Sequence, residues 1–239
     1  MSQTNKKNKM FEARLISREA LAPDVYALTF QSNTTYEIDY KAGQYAYLDV
    51  SGHEKRPYSI ASSPHKTDIS FHIKDTGHGL SHALSALEVG QPINISCPHG
   101  HAEYQSDADT SLLLIGGGLG LAPLMPIAKA ALDENPDRKV HIYHCVETAK
   151  DLYLHNALKE MADATPNLKY TPVTEDDGDY YITGRAPKAV ADDLSKELNH
   201  MDAYISGPPK MVIGTVEALT PLGLNIDRVF SDTNLGDLR

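Results

Sequence analysis

The run Ser111-Leu112-Leu113-Leu114-Ile115 passes directly into Gly116-Gly117-Gly118-Leu119-Gly120 and then into an apolar stretch ending near Leu132. No other feature of the chain constrains the fold as much. An unbroken aliphatic run predicts a strand covered on both faces, as in a parallel sheet with helices on either side. The glycines predict a tight turn, and the apolar stretch after them a helix. Glycine lets the backbone approach a ligand closely, and a helix N-terminus favours a phosphate. The turn is therefore a candidate phosphate cradle, with a ligand-free strand–helix turn as the competing explanation. The dinucleotide fingerprint G-x-G-x-x-G is met only in part, because Gly118-Leu119-Gly120-Leu121-Ala122-Pro123 ends in proline. The stretch from Leu112 to Leu132 also has about the length of a membrane span. Its four glycines after Ile115, with Pro123, Pro126 and Lys129, fit strand, turn and helix better.

Downstream, strand and helix patterns alternate. Val140 to Tyr143, Leu168 to Val173, Ala203 to Ser206 and Arg228 to Phe230 read as strands. Asp151 to Met161, Ala186 to Leu198 and Pro209 to Leu222 read as helices. This alternation predicts an α/β unit with a doubly wound parallel sheet. The chain before Ser111 has a different period. Val25 to Phe30, Tyr45 to Val50, Pro57 to Ala61, Ile69 to Ile73 and Ile93 to Ser96 read as short strands, with one helix over Leu80 to Val89. Such spacing predicts a small antiparallel β-barrel. The polar stretch Gln105 to Thr110 is the predicted boundary, giving units 1–105 and 106–239. Glu175-Asp176-Asp177-Gly178-Asp179 is expected to be a solvated loop.

Charge and cysteine content remove several functions. With 22 Lys and Arg against 32 Asp and Glu, the net charge is −10, which disfavours nucleic acid and anionic membrane as partners. Two cysteines, Cys97 and Cys145, are too few for a disulfide framework, a cysteine-ligated iron–sulfur cluster or a four-cysteine zinc site. Cys97-x-His99-x-His101 and the pair His78 and His82 look metal-like, but a zinc site needs three or four converging ligands, and none is expected. The polar start carries no apolar segment of signal type, so a cytoplasmic location is expected.

Two further stretches carry chemistry. Arg56-Pro57-Tyr58-Ser59 joins a phosphate-binding fork of donors to a ring that can pack on a planar ligand and a hydroxyl that can bond a ring nitrogen. Ser206-Gly207-Pro208-Pro209-Lys210-Met211 leaves a later strand of the sheet, and ligands of open parallel sheets bind at such carboxyl ends. Taken together with Gly79-Leu80-Ser81, Cys97-Pro98-His99-Gly100-His101-Ala102 and the Gly116 to Pro123 turn, these resemble five motifs of the ferredoxin–NADP reductase superfamily. They occur in the family's order, over roughly Phe11 to Asp232, and the resemblance is to its short bacterial flavin reductase branch.

The resemblance implies a flavin-binding barrel followed by a nicotinamide-binding α/β unit. It implies that Arg56 binds the flavin phosphate or ribityl chain beside Gly79, Leu80 and Ser81. Pro57 belongs to the same flavin motif, in which Tyr58 packs on the isoalloxazine and Ser59 bonds near N5, the hydride acceptor. Gly117, Gly118 and Gly120, with Pro123, would form the pyrophosphate loop, and Gly207, Pro208 and Met211 the nicotinamide crevice. Three departures stand out: Ser206 replaces a cysteine common before G-P-P, Glu147 stands where an arginine often meets a 2′-phosphate, and no aromatic follows Phe230. Glu147 predicts NADH rather than NADPH, since a carboxylate repels a 2′-phosphate and can accept from ribose hydroxyls. The activity implied is an NAD(P)H-dependent flavin reductase, with FAD held, or with FMN or riboflavin as substrate. The alternatives are an FAD-containing reductase component serving a separate ferredoxin or oxygenase and, more remotely, a non-catalytic NAD-binding module.

Overall fold

A computed structural model describes residues 9–34, 38–64, 67–105, 109–175, 182–183, 186–194 and 197–238. Part of the predicted boundary (106–108), most of the acidic run (176–179) and the polar start (1–8) lie outside the described residues.

The first unit contains β1 (Lys9–Ala22), β2 (Val25–Ser32), β3 (Tyr45–Asp49), β4 (Arg56–Ser59), β5 (Asp68–Lys74), a short helix α1 (Gly79–Ser85) and β6 (Pro92–His99). These strands form one antiparallel sheet in the order β4-β3-β6-β1-β2-β5. Its two edges meet through a bridge between Ile60 and Phe71, and the Ala61 N–H donates to the Ser70 carbonyl at 2.8 Å. Closure removes the exposed edges that an open sheet would present. Alternating residues fill the barrel: Leu28 and Phe30 from β2, Leu48 from β3, Phe71 and Ile73 from β5, Ile95 from β6.

The longest strand of the barrel, β1, is absent from the sequence-based prediction. Phe11-Glu12-Ala13-Arg14-Leu15 is rich in helix formers. Its conformation is set from outside, because β1 pairs along one edge with β2 and along the other with β6. Tertiary pairing of this kind routinely overrides local propensity. The helix predicted to Val89 is shorter, ending at Ser85.

The second unit contains β7 (Ser111–Gly117), α2 (Leu121–Glu134), β8 (Val140–Val146), α3 (His155–Ala164), β9 (Leu168–Thr174), β10 (Ile182–Thr183), α4 (Ala186–Leu194), β11 (Met201–Ser206), α5 (Pro209–Leu219) and β12 (Val229–Phe230). Its sheet is parallel throughout, in the order β10-β9-β8-β7-β11-β12. The aliphatic run of β7 divides between two cores. Leu112 and Leu114 pack with Leu124 and Ile127 of α2 and Leu158 of α3, while Leu113 and Ile115 pack with Val190 of α4 and Val212 of α5. That two-sided cover is why the run is apolar without alternation.

The units share an apolar boundary in which Val25 and Ala42 of the barrel join the core built around α2. Polar links flank it. The Tyr104 N–H donates to the Ala42 carbonyl at 2.8 Å, and the Gln105 N–H donates to the Tyr204 hydroxyl at 2.8 Å. Asp232 accepts from the His101 and Ala102 N–H groups at 3.0 and 3.4 Å. No helix among the described residues is long and apolar enough to cross a membrane.

Candidate active site

The carboxyl ends of β7, β8 and β11 open into a cleft of about 970 Å³ whose opposite wall is the barrel. Pro57, Tyr58 and Ser59 of β4 form part of that wall. Across from them lie Gly117, Gly118 and Gly120 after β7, Glu147 after β8, and Ser206, Gly207, Pro208 and Met211 after β11. The order of the sheet turns between β7 and β11, and such a switch point is where open α/β sheets bind ligands.

A second groove, of about 380 Å³, runs along the barrel and is lined by Arg56, Gly79, Leu80 and Ser81 together with Tyr58. Tyr58 thus belongs to both openings. Its ring is half-buried, and burial raises its pKa while Arg56 pulls the other way, so the phenol is neutral. Arg56 is exposed and pairs with Glu54 at 2.7 Å. An exposed pair of this kind is weak, and leaves the guanidinium able to turn to a phosphate.

The glycines of the turn divide into two roles. A methyl group at Gly120 would collide with the Ser206 carbonyl, and one at Gly117 with the Met211 terminal methyl. These two glycines let the β7 and β11 turns lie against each other. Gly118 differs: its φ is +54°, and a methyl there would meet open space. It is the glycine that leaves room for a ligand. Behind it, α2 begins with no side-chain cap and no acidic residue in its first turn. The Leu121 N–H bonds back to the Gly118 carbonyl, and a helix start without side-chain caps, with the positive end of the helix dipole, suits a pyrophosphate. These features fit a dinucleotide. Pro123 is buried as the third residue of α2 and lines neither opening, so the structure separates it from the other predicted cofactor-binding residues. A proline is tolerated there because first-turn N–H groups have no intrahelical partner.

Several lining residues have no motif to announce them. His72 and Lys74 come from alternate positions of β5, and Cys145, Asp151 and Glu175 from the sheet side. Burial pushes the Cys145 thiol up to about 12, so it is not a nucleophile at neutral pH. Burial also opposes ionisation of Asp151, but the Thr148 hydroxyl and Lys74 outweigh it and hold its pKa below the usual range. The spacing Thr148-x-x-Asp151 is a capping box, the one local signal that could have placed Asp151. Glu175 is held beside Glu147, its N–H donating to the Glu147 carbonyl at 3.1 Å.

Three of the four metal-like histidines have other partners, His78 meeting the Thr76 carbonyl at 2.9 Å. His99 bonds the Ser96 hydroxyl at 2.9 Å and stacks on Tyr45, and His82 bonds Asp75 at 3.1 Å. Among the described residues no group of three His, Cys, Asp or Glu could hold a metal ion.

A closed antiparallel barrel joined to a doubly wound sheet, with a nucleotide-type turn facing an R-x-Y-S strand, defines a flavin- and nicotinamide-dependent oxidoreductase. Known proteins agree. Residues 12–104 match the oxidoreductase FAD-binding domain family, and residues 114–217 match the oxidoreductase NAD-binding domain family. An NAD(P)H-flavin reductase of Aliivibrio fischeri is 33% identical over 192 residues, which cover 77% of this chain and 81% of the relative. Another from Vibrio harveyi is 30% identical, covering 92% and 97% respectively. The ferredoxin–NAD(P)(+) reductase component of naphthalene 1,2-dioxygenase/salicylate 5-hydroxylase systems of Ralstonia sp is 30% identical over 82% of this chain, which spans 60% of that longer protein. The crystal structure of an Amycolatopsis cytochrome P450 reductase superposes with a TM-score of 0.86 at 27% identity, over 95% of this chain and 70% of the other. The chain belongs to the ferredoxin–NADP reductase superfamily, in its NAD(P)H-flavin reductase branch.

Proposed function

We propose that this protein transfers a hydride from a nicotinamide dinucleotide to a flavin, and that its reduced flavin is either released or used for a separate acceptor. The observation that carries this reading is that Tyr58 and Ser59 line the same cleft as the Gly117–Gly120 turn and the Ser206–Met211 turn. When bound, a flavin supplies N5 as hydride acceptor and can pass electrons on singly or in pairs.

The residues of this chain bind, orient and exclude water. Arg56 holds the flavin phosphate or ribityl chain in the groove shared with Gly79, Leu80 and Ser81. Tyr58 packs against the flavin ring with Pro57 beside it, and the Ser59 hydroxyl bonds the ring edge near N5. Gly118 and the uncapped start of α2 hold the pyrophosphate, while Gly117 and Gly120 keep the two turns in contact. Gly207, Pro208 and Met211 shape the nicotinamide crevice, and Ser206 stands at the hydride path. Holding donor and acceptor in register is the main catalytic contribution such a site can make.

NADH is the proposed donor. Glu147 is exposed at the cleft mouth with the Glu175 backbone bonded to it. The carboxylate repels a 2′-phosphate and accepts from ribose hydroxyls. We place the division between the units at residues 105 and 106, which falls between the two family matches. The cytoplasm, where nicotinamide nucleotides are supplied, is the proposed compartment.

Two arrangements share this chemistry. Release of free reduced flavin is favoured by the near full-length match to a flavin reductase. A held FAD with a separate protein acceptor is favoured by the match to a dioxygenase reductase component. Visible absorbance of the purified protein, with NADH oxidation assayed with and without FMN, FAD or riboflavin, separates them. A colourless protein that is fast on free flavin supports release. A yellow protein that is slow on free flavin supports a protein acceptor.

A further inference from the structure

Below the cleft, a line of three buried or half-buried side chains connects the barrel to the glycine turn. It begins at His72 on β5. This strand closes the barrel against the chain just beyond β4, through the Ile60–Phe71 bridge, so His72 and Ser59 are the next residues out from that bridge, and both line the cleft. His72 Nδ1 lies 3.2 Å from the Tyr153 hydroxyl, across the boundary between the two units. Tyr153 is 3% exposed, and its ring meets His144 edge-on at 5.3 Å between centroids. His144 is fully buried, and its Nε2–H donates to the Gly118 carbonyl at 3.2 Å.

We propose that His72, Tyr153 and His144 act as positioning residues that fix the Gly118 turn relative to the Ser59 strand, and with it the distance over which the hydride passes. The inference rests on reading the cleft as the site where nicotinamide meets flavin.

Three features argue for more than packing. First, the contact uses a hydroxyl. A residue needed only to fill space at a buried position could be phenylalanine, whereas the phenol reaches a specific nitrogen of the other unit. Second, the protonation states are single-valued. Burial holds His72 and His144 near 4 and pushes the Tyr153 phenol up, so at neutral pH both imidazoles and the phenol are uncharged, and the Gly118 carbonyl, which can only accept, fixes the His144 proton on Nε2. Among the described residues His144 Nδ1 has no hydrogen-bond partner, so the bond to the Gly118 carbonyl is the one polar contact that orients the buried ring. Third, Leu154, directly after Tyr153, has φ of +58°, the one non-glycine residue with positive φ among those described. Strain of this sort persists where surrounding contacts over-determine the backbone, often near functional elements. A second link runs beside the first, from Lys74 to Asp151 at 3.5 Å.

The same carbonyl explains how the chain acts on the ligand. The Gly118 oxygen accepts both from His144 and from the N–H of Leu121, the first residue of α2, so holding it holds the start of the helix. A shift of about 1 Å in a reacting pair can cost on the order of a hundredfold in rate.

The test compares wild type with Tyr153→Phe, which removes only the hydroxyl, and with His72→Asn and His72→Leu. Asparagine can place an acceptor near the position of Nδ1, and leucine cannot. Two readouts are needed: amide hydrogen exchange at Gly118–Gly120 in the ligand-free protein, and single-turnover flavin reduction with the NADH dissociation constant measured alongside. The expected result for Tyr153→Phe and His72→Leu is faster exchange in the turn and at least a tenfold slower reduction step at saturating NADH, a larger effect than any loss of NADH affinity. His72→Asn should recover most of the rate. Wild-type exchange and rate in His72→Leu and Tyr153→Phe would overturn the proposal, as would a change in NADH affinity alone. If wild type neither binds NADH nor reduces flavin, the reading of the cleft fails instead, and the exchange data still decide whether the chain orders the turn.

Discussion

A methyl group placed on Gly120 would run into the carbonyl oxygen of Ser206. The two turns that form one side of the cleft are thus packed backbone to backbone. This contact predicts a structural cost for Gly120→Ala, because neither partner is a flexible side-chain end. Overpacking of this kind costs about 1–3 kcal/mol. Thermal unfolding should show a lower midpoint, and NADH oxidation should fall with it. Gly118→Ala should behave differently, since a methyl there meets open space and only the positive φ is strained. It should fold with a smaller loss and lose NADH affinity, readable by calorimetric titration.

Tyr58 lines both openings, so its replacement tests the flavin side. Loss of an aromatic stacking partner is worth roughly 1–3 kcal/mol for a planar base. Tyr58→Ala should therefore weaken flavin binding by about tenfold or more, measured by equilibrium dialysis. Ser59→Ala, which removes a hydroxyl but no stacking area, should leave flavin affinity closer to wild type and slow reduction.

Donor choice is predicted to turn on Glu147. Wild type should show a higher kcat/KM for NADH than for NADPH, and Glu147→Arg should lower that ratio by relieving repulsion of the 2′-phosphate. A wild-type preference for NADPH would contradict this assignment.

Acid should unfold the protein through its buried histidines. His72, His141 and His144 are each held near 4 by burial, against about 6.5 in an unfolded chain. The neighbours differ. Lys169 adds to the effect at His141 while Asp193 opposes it, and at His144 the Gly118 carbonyl opposes it while His155 adds. Below 6.5 the unfolded state binds protons that the folded state cannot, so stability falls as pH drops from about 6.5 towards 4. Each of the three contributes on the order of 2–3 kcal/mol by the lower end. Denaturant midpoints measured across that window should decline steadily, and less steeply in His141→Asn.

Much of this architecture is legible in the residues themselves. Leu112 to Ile115 states a strand covered on both faces, and the two cores on either side of β7 bear that out. The motif residues of the barrel and sheet are local patterns, and the fold brings Tyr58, Gly118 and Met211 into one cleft. What sequence reasoning missed depends on contacts between distant parts. β1 is a strand because β2 and β6 flank it, although its residues favour helix. His72 lies in an ordinary alternating strand, and its partner Tyr153 is 81 residues away. No local spacing can announce a pair that exists only once the two units are in contact. Pro123 shows the reverse case, a motif residue whose place is inside a helix and away from either opening.

Hydride transfer is read directly in an anaerobic mixture of the protein, one equivalent of flavin and one equivalent of NADH. The visible flavin absorbance should bleach as NADH is consumed in equal amount, and both changes should be far slower without the protein. NADH that stays unoxidised in the presence of FAD, FMN and riboflavin in turn would contradict it.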